Sequence, residues 1–103
     1  MALTVRFTAR ARAQIRALNL YLTDKAGSET AAEYTGRLVR RCLSIPDVPR
    51  GGTPRPDLGR GIRSIPYKDR ATILYRLTSE EVVIAAVFTR GQNIYARMRR
   101  KSR

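Results

Sequence analysis

Arg55-Pro56-Asp57-Leu58-Gly59-Arg60-Gly61-Ile62-Arg63-Ser64-Ile65-Pro66 is the stretch on which the reading of this chain turns. Its prolines and glycines mark a turn-rich loop. Leu58 sits inside as an apolar anchor, so the loop reads as a defined surface feature rather than a flexible linker. It is the end of a longer segment, 46–61, with four prolines and four glycines. The loop opens into a strand, Ile62 to Ile65, that carries Arg63. A second strand follows from Ala71 to Leu77, rich in β-branched and aromatic residues. A third runs from Val82 to Phe88 as a nearly continuous apolar stretch, suited to a central strand. Thr78-Ser79-Glu80-Glu81 joins the last two as a hairpin.

Upstream the period changes from strand to helix. Leu3, Val5 and Phe7 alternate with Thr4 and Arg6, a short half-buried strand. Thr8 is placed to cap the helix that follows. Ala11, Ile15, Leu18 and Leu22 form one apolar stripe, with Arg10, Arg12 and Arg16 mostly off it. Gly27 supplies a stop. A second helix starts near Ser28, with Glu29 and Glu33 at the end where the macrodipole favours acids and Arg37, Arg40 and Arg41 toward the end where it favours cations. Ala31, Thr35, Leu38, Cys42 and Ile45 make its inner stripe, with Tyr34 alongside. Pro46 disfavours a helical Ile45 and ends it. The short connection makes the helices an antiparallel hairpin. The expected fold is α+β, in the order β-α-α-β-β-β: a helical hairpin on a small antiparallel sheet, in one domain over 1–103. The basic segment 94–103 permits a short C-terminal helix and equally a disordered arm.

Composition narrows the class. A chain of 103 residues with 43% hydrophobic residues can bury one modest core. A formal charge of +13 calls for an acidic partner: nucleic acid, an acidic protein or anionic lipid. The single cysteine, Cys42, excludes an internal disulfide and suits the cytoplasm. It falls on the inner helical stripe, where a core thiol is expected. No apolar run reaches membrane-spanning length, and Met1 to Phe7 lacks the layout of a signal peptide. The chain has no histidine, so neither a catalytic triad nor a Cys-His pair can be assembled. Metal-ligand spacings are missing too, and nothing calls for a cofactor. No base-reading motif stands out; the basic tail is enough for phosphate contact alone.

In order and spacing these segments resemble the RelE/ParE superfamily of bacterial toxins from type II toxin-antitoxin systems, the ParE branch most closely. The resemblance runs from Val5 to Asn93. It rests on Phe7-Thr8, the Ala11, Ile15 and Tyr21 pattern, Gly27, Leu38 with Cys42, the loop Arg55 to Ser64, Ile73-Leu74-Tyr75-Arg76 and Val83 to Val87. Ala86 and Thr89 stand where many ParE-like members carry arginine and histidine.

The resemblance implies a growth-inhibiting toxin of the kind associated with plasmid stabilisation. A cognate acidic antitoxin would neutralise it, laying an extended segment on the outer helix surface and on an edge or groove of the sheet. ParE-like toxins are associated with inhibition of DNA gyrase. RelE-like toxins cleave mRNA in the ribosome, with arginines, lysines and a tyrosine in place of histidines. Under the first reading Arg63, Arg76, Arg90, Arg97, Arg99 and Arg100 are contact residues. Under the second, Arg63, Lys68, Arg76, Arg90 and Tyr95 are the candidate catalytic groups, and Arg63, Arg76 and Arg90 could converge on one sheet face; the alternative is that the strand arginines are solvated or paired with Asp57, Asp69 or the antitoxin. A third reading is a non-toxic relative acting in antitoxin or operator binding.

Overall fold

A computed structural model describes residues 3–68 and 71–89. The chain runs β1 (Thr4–Phe7), α1 (Ala9–Ala26), α2 (Ser28–Leu43), a 3₁₀ turn (Ile45–Asp47), β2 (Thr53–Pro54), β3 (Ile62–Tyr67), β4 (Ala71–Leu77) and β5 (Glu81–Thr89). Thr8 caps α1 as expected, its Oγ1 accepting from the Ala11 N–H at 3.1 Å. Gly27, at φ 95°, is the whole connection between the helices. Its N–H closes α1 on the Thr23 carbonyl, and its own carbonyl receives the Ala31 N–H. A side chain at that φ would be strained, which is why the hairpin turns on a glycine.

The second helix stops at Leu43, two residues short of Ile45, the last residue of its expected stripe. Pro46 has no N–H for the Cys42 carbonyl, so the chain tightens into the 3₁₀ turn that buries Ile45. The stripes meet the sheet as the period requires. Ala11, Leu18, Leu22, Ala31, Leu38 and Cys42 pack in one cluster with Ile65, Ile73, Tyr75, Val82, Ile84 and Val87. Ile15 lies at the margin of that cluster, only partly buried.

The α+β order holds, but the sheet is mixed rather than antiparallel. Its order is β1-β5-β4-β3-β2. β3, β4 and β5 pair antiparallel, as does the added two-residue strand β2 with β3. β1 pairs parallel with β5, Val5 opposite Val82 and Phe7 opposite Ile84. The sequence shows β1 as a strand but cannot show its neighbour, because the pairing spans almost the whole chain.

β5 reads as a continuous apolar run because both of its faces are covered, Val83 as well as Val82 and Ile84 being buried. The register with β4 shifts, so that Leu74 faces Ala86 while Tyr75 faces Ile84, and Ala85 is the extra residue of a β-bulge. Side-chain parity reverses across it. Val82 and Ile84 face the helices before the bulge, and Val87 does so after it. Ala86 and Phe88 turn to the opposite face, with Leu58, Ile62 and Leu74. One strand thus supplies both faces and reads as continuously apolar.

Cys42 is fully buried. Burial pushes its thiol up from an ordinary 9.0 to about 12, the nearby Arg41 offsetting only part of the effect. In the native state the thiol should resist labelling on the time scale on which the unfolded chain reacts. Cys42→Ala should fold, at a cost of about 1 kcal/mol for the lost volume. The pH dependence has a definite sign. Between about 9 and about 12 the unfolded thiol ionises while the folded one holds its proton, so stability falls as pH rises through that window. Thermal unfolding followed from pH 8 to 11 should decline more steeply for the wild type than for Cys42→Ala; parallel curves would refute this.

Candidate functional site

The loop that decides the fold is fastened by side chains of the sheet. Tyr75, fully buried on β4, donates its hydroxyl to the Pro49 carbonyl at 2.7 Å and accepts from the Gly52 N–H at 3.0 Å. Gly52 has no room for a side chain: a Cβ there would lie 2.7 Å from the Tyr75 hydroxyl. Arg63 on β3 donates to the Arg50 and Gly52 carbonyls at 3.1 and 2.8 Å. Arg76 on β4 donates through Nε to the Arg60 carbonyl at 3.1 Å. Arg55 chelates Asp57 at 3.1 and 3.2 Å, and its N–H meets the Ile62 carbonyl at 2.7 Å. Leu58 is buried beneath, so it is the anchor expected of it.

Two of the candidate arginines therefore hold backbone carbonyls, and they stand apart. Arg63 pairs opposite Tyr75, on the helix-facing side of the sheet. Arg76 pairs opposite Ile62, on the other side. These two do not converge on one face, because opposite residues of an antiparallel pair share a face and the two arginines sit one register step apart. Asp57 pairs with Arg55, at 3.1 Å from its Nη2. Lys68 sits in the turn after β3 at φ 54°, its ammonium 5.8 Å from the Tyr67 ring centroid. Arg90, Tyr95, Arg97, Arg99 and Arg100 lie outside the described residues, as does the segment expected as a helix or arm. Among the described residues no group of three or more potential metal ligands stands together, and no helix is long and apolar enough to cross a membrane.

A second feature was not assigned residues by the sequence. At the β1 side of the sheet lies a groove of about 850 Å³ between that strand and the helical hairpin. Val5, Phe7, Ile15 and Val39 give it apolar walls. Asn19 and Thr35 close part of it, joined at 3.2 Å. The exposed Arg12 and Arg16, one helical turn apart, line it from α1. Arg6 and Glu81 line it too, paired at 3.3 Å. The sequence signal was present in the cations next to the apolar stripe of α1. What was missing was the position of β1 at the sheet edge.

Residues 5–94 match the family described as ParE toxin of type II toxin-antitoxin system, parDE. Among solved structures, the fold resembles one from the chromosomal ParDE toxin-antitoxin system of P. aeruginosa. That likeness has a TM-score of 0.75 at 19% identity, over 85% of this chain and 96% of that one. It also resembles a chain of the toxin-antitoxin complex RelBE2 from Mycobacterium tuberculosis. There the TM-score is 0.65 at 26% identity, over 87% of this chain and all of that one. Among curated proteins none matches by sequence.

The loop clamp yields a direct expectation. Tyr75→Phe leaves the Pro49 carbonyl and the Gly52 N–H without their partner, and should cost about 1–3 kcal/mol in chemical denaturation. Amide exchange should quicken at Gly52 before it does in β5. Unchanged stability together with unchanged exchange would show that the hydroxyl does not hold the loop.

Proposed function

Because the chain belongs to the ParE toxin family of type II toxin-antitoxin systems, we propose that it inhibits growth by binding a DNA topoisomerase, gyrase, as a protein inhibitor. It would act in the cytoplasm and be neutralised there by an acidic antitoxin. The observation that carries inhibition over catalysis is the placement of Arg63 and Arg76. An endonuclease using the RNA 2′-hydroxyl needs a proton acceptor, a donor and positive charge gathered about one phosphate. These two arginines instead face opposite sides of the sheet and hold loop carbonyls. In this reading they shape the loop. Arg90, Arg97, Arg99 and Arg100 contact the target, with the net charge of +13 steering the encounter.

The likeness to the RelBE2 complex at 26% identity favours a second reading, a ribosome-dependent mRNA endonuclease. In that case Arg90 and Tyr95 carry the acid-base chemistry. The two readings separate on one purified sample. Gyrase supercoiling and ribosome-bound mRNA cleavage are measured side by side. Inhibited supercoiling with intact mRNA is expected, and single substitutions at Arg90, Arg97, Arg99 or Arg100 should weaken it in graded steps. If the chain instead cuts mRNA and leaves supercoiling untouched, inhibition is the wrong reading. Tyr95→Phe should then lower cleavage by about 10²–10⁴-fold.

A further inference from the structure

We infer that the turn Val48–Gly51, held in place by Tyr75 and Arg63, is a contact through which the chain grips its protein target, with Val48 entering an apolar pocket and Arg50 meeting a carboxylate; this rests on the inhibitor reading above and names residues and chemistry for that contact. The backbone supplies the first argument. The Gly51 N–H closes the turn on the Val48 carbonyl at 3.0 Å, and the Val48 N–H reaches the Ile45 carbonyl at 3.0 Å. The Pro49 carbonyl takes the Tyr75 hydroxyl, and Arg63 Nη1 holds the Arg50 and Gly52 carbonyls. The carbonyls of Val48, Pro49, Arg50 and Gly52 are thus all held from within the protein. A turn fastened at so many backbone points loses little conformational freedom when a partner covers it. The side chains of Val48 and Arg50 remain exposed.

The side chains give the second argument. Val48 is 66% exposed. A Cβ at Gly51 would lie 3.2 Å from Val48 Cγ1, so the valine lies directly over the turn. A lone exposed apolar side chain is ordinary; one fixed on a rigid turn beside an unanswered arginine, a residue enriched at the energetic centres of interfaces, is not. Among the described residues Arg50 makes no ion pair, and neither does the exposed Asp47 just ahead of the turn. The exposed side chains therefore run acid, valine, cation. A protein surface can answer all three, whereas a uniformly anionic polymer would be repelled by the first and gain nothing from the second. The backbone agrees, because phosphate sites draw on free N–H groups. Here the N–H groups of Val48, Gly51 and Gly52 are already engaged, and Pro49 has none.

The test uses the full chain, with purified gyrase as the binding probe and growth after induction scored in parallel. Val48→Ser and Arg50→Gln each change one exposed side chain, and thermal unfolding of both should match the wild type. Each should weaken gyrase binding about tenfold or more and relieve growth arrest. Only Arg50→Gln should flatten the salt dependence of binding. Tyr75→Phe leaves both contact side chains in place yet should also weaken binding, and Val48→Ser should then cost less in that background than alone. Strictly additive losses would deny Tyr75 its positioning role. Wild-type binding and wild-type arrest in both surface variants overturn the inference and leave the inhibitor reading standing. A loss confined to Arg50→Gln and shared with binding to a single-stranded oligonucleotide marks a phosphate contact and overturns it too. If the wild-type chain arrests growth without binding gyrase and both variants relieve the arrest, gyrase is the wrong target and the turn remains the contact. A wild-type chain that neither binds gyrase nor arrests growth sinks both.

Discussion

The bulge at Ala85 is the constraint on which the rest of the molecule depends. β5 lies between β1 and β4 and must present apolar side chains to both faces of the sheet. A regular strand could do so only by strict alternation over its whole length. The extra residue resets the alternation and loosens backbone groups that a regular ladder would hold. Residues at the start of α1 take up groups on either side of it. The Thr8 hydroxyl donates to the Ala85 carbonyl at 3.0 Å while capping the helix, and the Gln14 Oε1 accepts the Val87 N–H at 2.7 Å. The Thr8 N–H adds a bond to the Ile84 carbonyl. The irregularity of β5 is therefore the socket in which the first helix is seated.

At the other side of the sheet, the same logic holds a loop instead of a helix. A buried tyrosine hydroxyl must find partners, and Tyr75 finds both on the loop backbone. The strand arginines add further donors to loop carbonyls. A segment rich in glycine and proline would otherwise sample many conformations. Here its backbone is fixed by side chains that belong to the sheet. Cationic side chains such as Arg50 and Arg60 are then displayed from an ordered frame. A binding protein benefits from that arrangement because less conformational entropy is lost on contact.

The two surfaces lie at opposite sides of the sheet, one against β1 and one against β2 and β3. Both are rich in arginine and poor in acid, as expected of a domain whose net charge is far from zero. Such a charge favours encounter with acidic partners and disfavours self-association. It says little about which contacts provide affinity. In the groove the apolar walls should supply most of it, while the cations select the sign of the partner.

Much of the architecture is local and can be read from the residues. The stripes of α1 and α2, the Thr8 cap, the Gly27 stop, the buried Cys42 and the anchoring of Leu58 all follow from periods and residue types within a few positions of one another. The family pattern over residues 5–94 is legible for the same reason, since it consists of such segments in order. Other features belong only to the folded chain. That β1 runs parallel to β5, and so leaves an open edge beside α1, is fixed by a pairing between residues 77 positions apart, Thr4 with Glu81 and onward. That Arg63 and Arg76 stand on opposite faces is fixed by the register of β3 on β4, because a shift of one residue exchanges the two faces. Sequence determines which residues are strand, helix or turn through interactions along the chain. Only tertiary pairing decides which edges remain open and which side chains share a face, because those depend on contacts between segments far apart in sequence.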